Sequence, residues 1–196
     1  MAAIRSICVY CGSSPGRSEI YAAGARRLAE ALVERDLRLV YGGAGIGVMG
    51  VVADRVLELG GRVVGVIPQA LATKEVAHPD LTELHVTASM HERKMRMAEL
   101  ADGFIALPGG IGTLEELFEI WTWAQLGFHD KPCGVLNIGG YYDTLIRFLD
   151  HVTAEQFVTP QQRAMLMVES EPAALLDRYA GYRAPAVEHW LDRSQT

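Results

Sequence analysis

The chain has 196 residues, 49% of them apolar, and a formal net charge of −6. That is the size of one ordinary α/β domain with room for a large core, and the acidic balance speaks against a general nucleic-acid binder, which would present a basic face. No long apolar run follows Met1-Ala2-Ala3-Ile4-Arg5 and no window reaches the length of a membrane span, so the reading is a cytoplasmic protein with no signal peptide and no membrane partner.

Taken in order, Ile4 to Tyr10 reads as a buried strand, and Cys11-Gly12-Ser13-Ser14-Pro15-Gly16 as a turn of small residues. The three cysteines are an odd number in a domain that can build its own core, which favours reduced thiols. Cys8 and Cys11 form a C-x-x-C, but a redox pair would open a helix, whereas Cys8 falls inside the strand. Ser18 is placed to cap a helix from Glu19 to Arg35. Leu37 to Tyr41 is a second strand, followed by the glycine-rich Gly42 to Gly50 and a helix from Val51 to Leu59. The strict G-x-G-x-x-G register fails here. The next strand, Arg62 to Ile67, ends in Pro68-Gln69 without the acid that a dinucleotide site would want.

Residues 70–79 read as irregular and Leu84 to Ala88 as a short strand. Ser89 then caps a helix from Met90 to Leu100, with Glu92 completing a capping box. Gly103 to Leu107 is read as a central buried strand and runs into Pro108-Gly109-Gly110-Ile111-Gly112-Thr113-Leu114-Glu115-Glu116, ahead of the helical stretch Leu117 to Leu126. Cys133 to Ile138 is a further strand and Tyr141 to His151 a helix. Met165 to Val168 and Pro172 to Tyr179 are a last strand and helix, and a tail around Trp190 packs on the surface or frays.

Strands alternating with helices, without an internal repeat or linker, imply an α/β fold. It is a single domain over 1–196 with a doubly wound parallel sheet and helices on both faces. Ligands of such sheets bind at the carboxyl ends of the strands. Three small-residue turns fall there: Gly12-Ser13-Ser14, Gly42 to Gly47, and Gly109 to Thr113. A helix N-terminus behind such a turn offers unpaired N–H groups and the positive end of the dipole, and phosphate is the usual guest. A loop that only held phosphate would gain nothing from the acids Glu115 and Glu116 one turn in. A loop that also cut a nearby bond could use one. Arg93, Lys94 and Arg96 put three cations on a helix that starts at the same edge. A solvated basic face is the bland reading, and an arginine forked onto a phosphate or ribose is the sharper one. His91 and His129 are candidate general acids, although a lone histidine is more often structural. No grouping of His, Cys, Asp and Glu has metal-ligand spacing, so no metal is expected, and Gly12-Ser13-Ser14 lacks the elbow of a hydrolase nucleophile.

Pro108-Gly109-Gly110-Ile111-Gly112-Thr113-Leu114-Glu115-Glu116 resembles the P-G-G-x-G-T-x-x-E signature of the Lonely Guy family of cytokinin-activating enzymes, long labelled lysine decarboxylase-like. Met90-His91-Glu92-Arg93-Lys94 is similar to the family's other signature, and Cys8 to Ser14 and Tyr41-Gly42-Gly43 look like its opening turns. The resemblance runs from about Ile4 to Tyr179. It implies a Rossmann-like homodimer without metal or coenzyme that hydrolyses the N-glycosidic bond of a nucleoside 5′-monophosphate. Glu116 is then the catalytic carboxylate and Arg93 orients it or the sugar. Glu75, Lys94 and Thr122 match substrate-contacting positions, beside Gly12, Ser13, Ser14, Gly42, Gly43 and the loop residues Gly109, Gly110, Ile111, Gly112, Thr113 and Leu114. Glu115 is either part of that set or a first-turn acid that complements the dipole, worth about 0.3–1 kcal/mol.

Two other readings stand beside this one. A nucleotide-sensing module without turnover would not need a carboxylate at the sugar. A pyridoxal-dependent decarboxylase would need a cofactor lysine, and Lys74, Lys94 and Lys131 lie in no recognisable cofactor motif. A homodimer is further suggested by Trp121, Trp123 and several methionines on helices.

Overall fold

The computed structural model describes residues 4–72 and 77–185. Seven strands form one sheet: β1 Ser6–Tyr10, β2 Arg38–Tyr41, β3 Val63–Pro68, β4 Glu83–Thr87, β5 Gly103–Ala106, β6 Cys133–Leu136 and β7 Leu166–Glu169. Every pairing is parallel and the order is β4-β3-β2-β1-β5-β6-β7. The chain winds outward from β1 to β4, then returns to the other side of β1 to lay down β5. That reversal makes the edge above β1 and β5 the topological switch point, where open α/β sheets leave a crevice. The middle strand is therefore β1, not the Gly103 to Leu107 strand, which lies beside it.

Among the described residues eight α-helices lie between and after the strands: α1 Glu19–Glu34, α2 Gly47–Glu58, α3 Gln69–Ala72, α4 Met90–Leu100, α5 Ile111–Gln125, α6 Asp143–Ala154, α7 Pro160–Ala164 and α8 Pro172–Ala180. Successive strand residues point to opposite faces, which splits the core in two. Ile7, Val9, Leu39 and Tyr41 meet α1, α2 and α8. Cys8, Tyr10, Val40, Val66 and Phe104 meet α4, α5 and α6. With both faces covered, β1 is buried at every position, as parallel strands with two packed faces are. The Rossmann-like α/β sandwich expected from the sequence is the one observed.

The differences are local and have causes. α2 begins at Gly47, ahead of the expected Val51, because Ile46 is extended and ends the turn early. α5 begins at Ile111, so Gly112 and Thr113 are its first turn rather than loop. α6 begins at Asp143 and not at Tyr141. Asn137 Oδ1 accepts the Tyr142 N–H at 2.7 Å, and Gly139 and Gly140 turn the chain at positive φ before any helix can start. α7 went unforeseen despite a complete capping box between Thr159 and Gln162 and Pro160 in its first turn, since five residues carry no readable periodicity. At α4, Ser89 Oγ accepts the Glu92 N–H at 3.1 Å, but the Glu92 carboxylate closes on the Ala88 N–H at 2.7 Å, one residue earlier than in a standard box.

Cys8, Cys11 and Cys133 are free and buried, and burial pushes each thiol well up, away from the reactive thiolate. Among the described residues no helix is long and apolar enough to cross a membrane.

Candidate active site

The three small-residue turns meet at the switch point. The Gly12 N–H donates to the Pro108 carbonyl at 3.2 Å, and the Gly12 carbonyl accepts the Met49 N–H at 3.2 Å. A methyl group at Gly109 would collide with the Thr113 hydroxyl and the Gly12 nitrogen, and one at Gly47 with the Ser13 backbone. The turns are thus locked together by the lack of side chains. Above them lies a crevice of about 270 Å³, whose walls include Gly12, Ser13, Ser14, Gly109, Gly110 and Tyr141.

The α5 N-terminus opens at this place. Its cap residue, Gly110, is extended and offers no side-chain acceptor to the first-turn N–H groups. Ile111 is 82% exposed and Thr113 is buried. Nothing lies within 4 Å of where a Cβ would stand on Gly110 or Gly112. Packing requires neither glycine, and both leave the approach to the helix start open. Backbone N–H groups with a free approach and a helix dipole behind them are the features that suit a helix start to an anion.

Arg93 and Glu116 are brought together across the gap between α4 and α5. Arg93 is 8% exposed, and its Nε donates to the Val66 carbonyl at 3.0 Å. That bond fixes the guanidinium, leaving Nη1 3.4 Å from Glu116 Oε1. Gly42 accounts for the fit, because a Cβ there would collide with Arg93 Nη2 and with the Met49 methyl. Gly43 sits at φ +78°, and its carbonyl accepts the His78 N–H at 2.9 Å. Gly42 and Gly43, expected as ligand contacts, thus have work inside the chain.

The Glu116 side chain is only 11% exposed. Burial pushes its carboxyl from an ordinary 4.5 up to about 7; Arg93 and Lys94 pull the other way, and Glu115 and Glu119 add to the rise. A carboxyl that changes charge near neutrality, in a cleft, beside a fixed cation, has the character of a catalytic group.

The remaining candidates separate cleanly. Lys94 Nζ sits 2.7 Å from Glu115 and 2.9 Å from Glu119, so it ties α4 to α5; Glu115 has this partner rather than the expected place in the first turn, which holds no acid. Thr122 is exposed and lies about two turns beyond Glu115 on the face that also carries Glu119, not on the face of Glu116. Arg96 pairs with Glu99 on its own helix, as a solvated face would. Leu114 is partly buried and packs against the core layer beneath α4, α5 and α6. His129 uses both ring nitrogens: Nε2 donates to the Ile120 carbonyl at 2.9 Å and Nδ1 accepts the Lys131 N–H at 3.2 Å. His91 is exposed on α4. Glu75, with Lys74, lies outside the described residues. The sequence reading missed Tyr141 and Tyr142, which reach the glycine loop from beyond β6. Their signal was a fourth small-residue turn, Gly139-Gly140, at the carboxyl end of a strand.

Fold and site together define a Rossmann-like α/β protein with an uncapped, open helix N-terminus and a buried arginine–glutamate pair at the switch point. The family profile described as "Possible lysine decarboxylase" matches residues 49–179. The chain is 50% identical over 165 residues to the cytokinin riboside 5′-monophosphate phosphoribohydrolase of Rhodococcoides fascians, covering 84% of this chain and 83% of that protein. It is 48% identical over 179 residues to a protein of the same name from Arabidopsis thaliana, covering 91% and 78%. Among solved structures, the molybdenum cofactor carrier protein of Chlamydomonas reinhardtii superposes with a TM-score of 0.67 at 19% identity over 91% of this chain and 99% of that one, a likeness of fold. The chain belongs to the Lonely Guy family, formerly labelled lysine decarboxylase-like.

Proposed function

We propose that the chain hydrolyses the N-glycosidic bond of adenosine 5′-monophosphate, plain or N6-modified, to free base and ribose 5-phosphate. The observation that carries this is Glu116: a buried carboxyl with its pKa pushed to about 7, 3.4 Å from a fixed guanidinium and one turn into an open helix N-terminus. The relatives' name describes the same chemistry.

The steps follow from the charges. The 5′-phosphate rests on the first-turn N–H groups of α5 and the Gly12-Ser13-Ser14 turn, which sets the anomeric carbon against Glu116. As the bond to the base lengthens, positive charge grows on the sugar, and the ionised Glu116 stabilises it or takes a proton from water. Water oxygen bonds to the anomeric carbon, the base leaves with the bonding pair, and one water proton ends on the base. Arg93, held by Val66, keeps the carboxylate aimed and ionised. Water is the only co-reactant, so the reaction is written without metal or coenzyme. Lys94 and Lys131, engaged with Glu115 and with the Ala98 carbonyl, give no support to a pyridoxal decarboxylase. A non-catalytic nucleotide sensor stays the alternative, and Glu116 tells against it.

Two further readings belong to this proposal. The protein acts as a homodimer, with Met95, Trp123 and Phe128 around a hollow of about 200 Å³ between α4 and α5 as the docking face; Trp121, buried with its indole N–H on the Gln162 carbonyl, is core instead. It works in the cytoplasm, consistent with three buried, unbridged thiols.

Incubation with adenosine 5′-monophosphate and its N6-isopentenyl derivative, followed by chromatography for free base, tests the proposal. Wild-type protein should release base. Glu116→Gln should cut kcat by about a thousandfold or more while still binding nucleotide, because the charge is needed mainly in the transition state. Binding without release by wild type would identify a sensor, and near-normal kcat in the variant would remove Glu116 from the mechanism.

A further inference from the structure

The segment after β6 reaches back over the glycine loop. Ile138–Gly140 forms a single 3-10 turn, with Gly139 at φ +58° and Gly140 at φ +73°. Asn137 Oδ1 reaches past it to accept the Tyr142 N–H, and Asn137 Nδ2 donates to Asp143 at 2.6 Å. The two tyrosines that follow have different surroundings. Tyr142 is buried, and its hydroxyl donates to the Leu107 carbonyl at 2.7 Å. Tyr141 is exposed, stands edge-on to Tyr21 at 5.6 Å, and donates to the Gly109 carbonyl at 2.5 Å.

Between these two carbonyls lies that of Pro108, which accepts the Gly12 N–H. Three successive carbonyls of the loop are therefore held from outside the loop. In a planar trans peptide the C=O and the following N–H point in opposite directions. Holding the Pro108 carbonyl sets the Gly109 N–H, and holding the Gly109 carbonyl sets the Gly110 N–H. No atom lies within 4 Å of where a Cβ would stand on Gly110, and on its far side the Gly110 carbonyl accepts the Leu114 N–H at 3.2 Å. Of the two tyrosines, Tyr141 is the one acting at the peptide that faces the open approach.

We propose that Tyr141 is a positioning residue for the substrate's 5′-phosphate: its hydroxyl, by gripping the Gly109 carbonyl, holds the Gly109–Gly110 peptide with its N–H turned to the anion. This rests on the reading of the loop as a nucleotide phosphate site. The consequence is a contribution to affinity felt by a phosphorylated ligand and not by its nucleoside.

The test is Tyr141→Phe, which removes one exposed oxygen and keeps the ring on Tyr21. Binding of adenosine 5′-monophosphate and of adenosine is measured by calorimetry in the Glu116→Gln background, with and without Tyr141→Phe. The expected result is a Kd for the nucleotide weakened by about tenfold, the scale of one lost charge-linked hydrogen bond, with the adenosine Kd changed by less than about twofold. In the otherwise wild-type protein the same substitution should raise KM for the nucleotide more than it lowers kcat. An unchanged nucleotide Kd, or equal weakening for both ligands, overturns the inference, the second because it marks general damage to the cleft. Failure of wild-type protein to release base would instead strike the hydrolase reading, and the Kd ratio would still decide this one.

Discussion

Two glycine-rich strand-to-helix turns flank β1 on this sheet, after β2 and after β5, and the surroundings of their glycines are opposite. In the turn from Gly42 to Gly50 the chain itself occupies the space a side chain would need. Arg93 and Met49 fill it at Gly42, the Ser13 backbone at Gly47 and the Gly45 backbone at Gly50. In the turn from Pro108 to Thr113, Gly109 is packed in the same way, but Gly110 and Gly112 look onto open space. A count of glycines does not separate the two. The space around each glycine does: the first turn is shaped by the chain's own Arg93 and Met49, and the second is left open, as the proposed ligand site requires.

Substituting one glycine from each turn would break or sharpen that contrast. Gly42→Ala is expected to have the larger effect. The new methyl group meets the far ends of the Arg93 and Met49 side chains rather than backbone, so the side chains can yield and Tm should move less than activity. The guanidinium, however, must leave its place, and a misplacement of this size costs about a hundredfold in turnover. Activity assays with a melting curve check it; a large loss of Tm would show instead that the turn is needed mainly for folding.

Gly110→Ala is expected to leave Tm unchanged within error and to weaken binding of adenosine 5′-monophosphate by about tenfold or somewhat more, since the methyl group enters the ligand's approach and one charge-linked hydrogen bond is the scale of the loss. Full affinity in this variant would mean that the open space is not used.

The smallest expected effect concerns pH. Glu116 holds its proton more tightly than a free carboxyl, so it is largely protonated below about pH 7 and ionised above it. A reaction that needs the carboxylate gains kcat/KM as pH rises through that value. Lys94→Met removes a cation that favours the ionised form and leaves Glu115 and Glu119 unopposed, so the inflection should move upward and activity near neutrality should fall a few-fold. The substrate phosphate itself titrates near pH 6, but that step would not move with Lys94. A fixed inflection in the variant would detach it from Glu116.

Much of this was legible from the chain alone. Short apolar strands alternating with capped helices dictate a parallel sheet covered on both faces. The loop signature and the arginine helix stand in register because both elements begin at one sheet edge. Pairings between distant residues were not legible. Nothing around Gly42 says that Arg93 will lie against it, and nothing around Lys94 says that Glu119, on another helix, will share its charge. The start of α5 was read too late because glycine is a poor helix former, yet buried Thr113 and the core contact of Leu114 hold the first turn in place. Tyr141 and Tyr142 entered only as the expected start of a helix, since a hydroxyl's partner in another loop leaves no mark in local sequence.

The claim on which the rest depends is that the loop after β5 holds a phosphate while Glu116 works on the sugar. The most direct measurement is kcat/KM for adenosine 5′-monophosphate and for adenosine, side by side, with free adenine as the readout. Loss of an anion bound by several N–H groups, at about 1.5–3 kcal/mol per charged hydrogen bond, should separate the two by at least about a hundredfold in favour of the nucleotide. Comparable values for the two would contradict the account, because the open glycines and the uncapped helix would then play no part in the reaction.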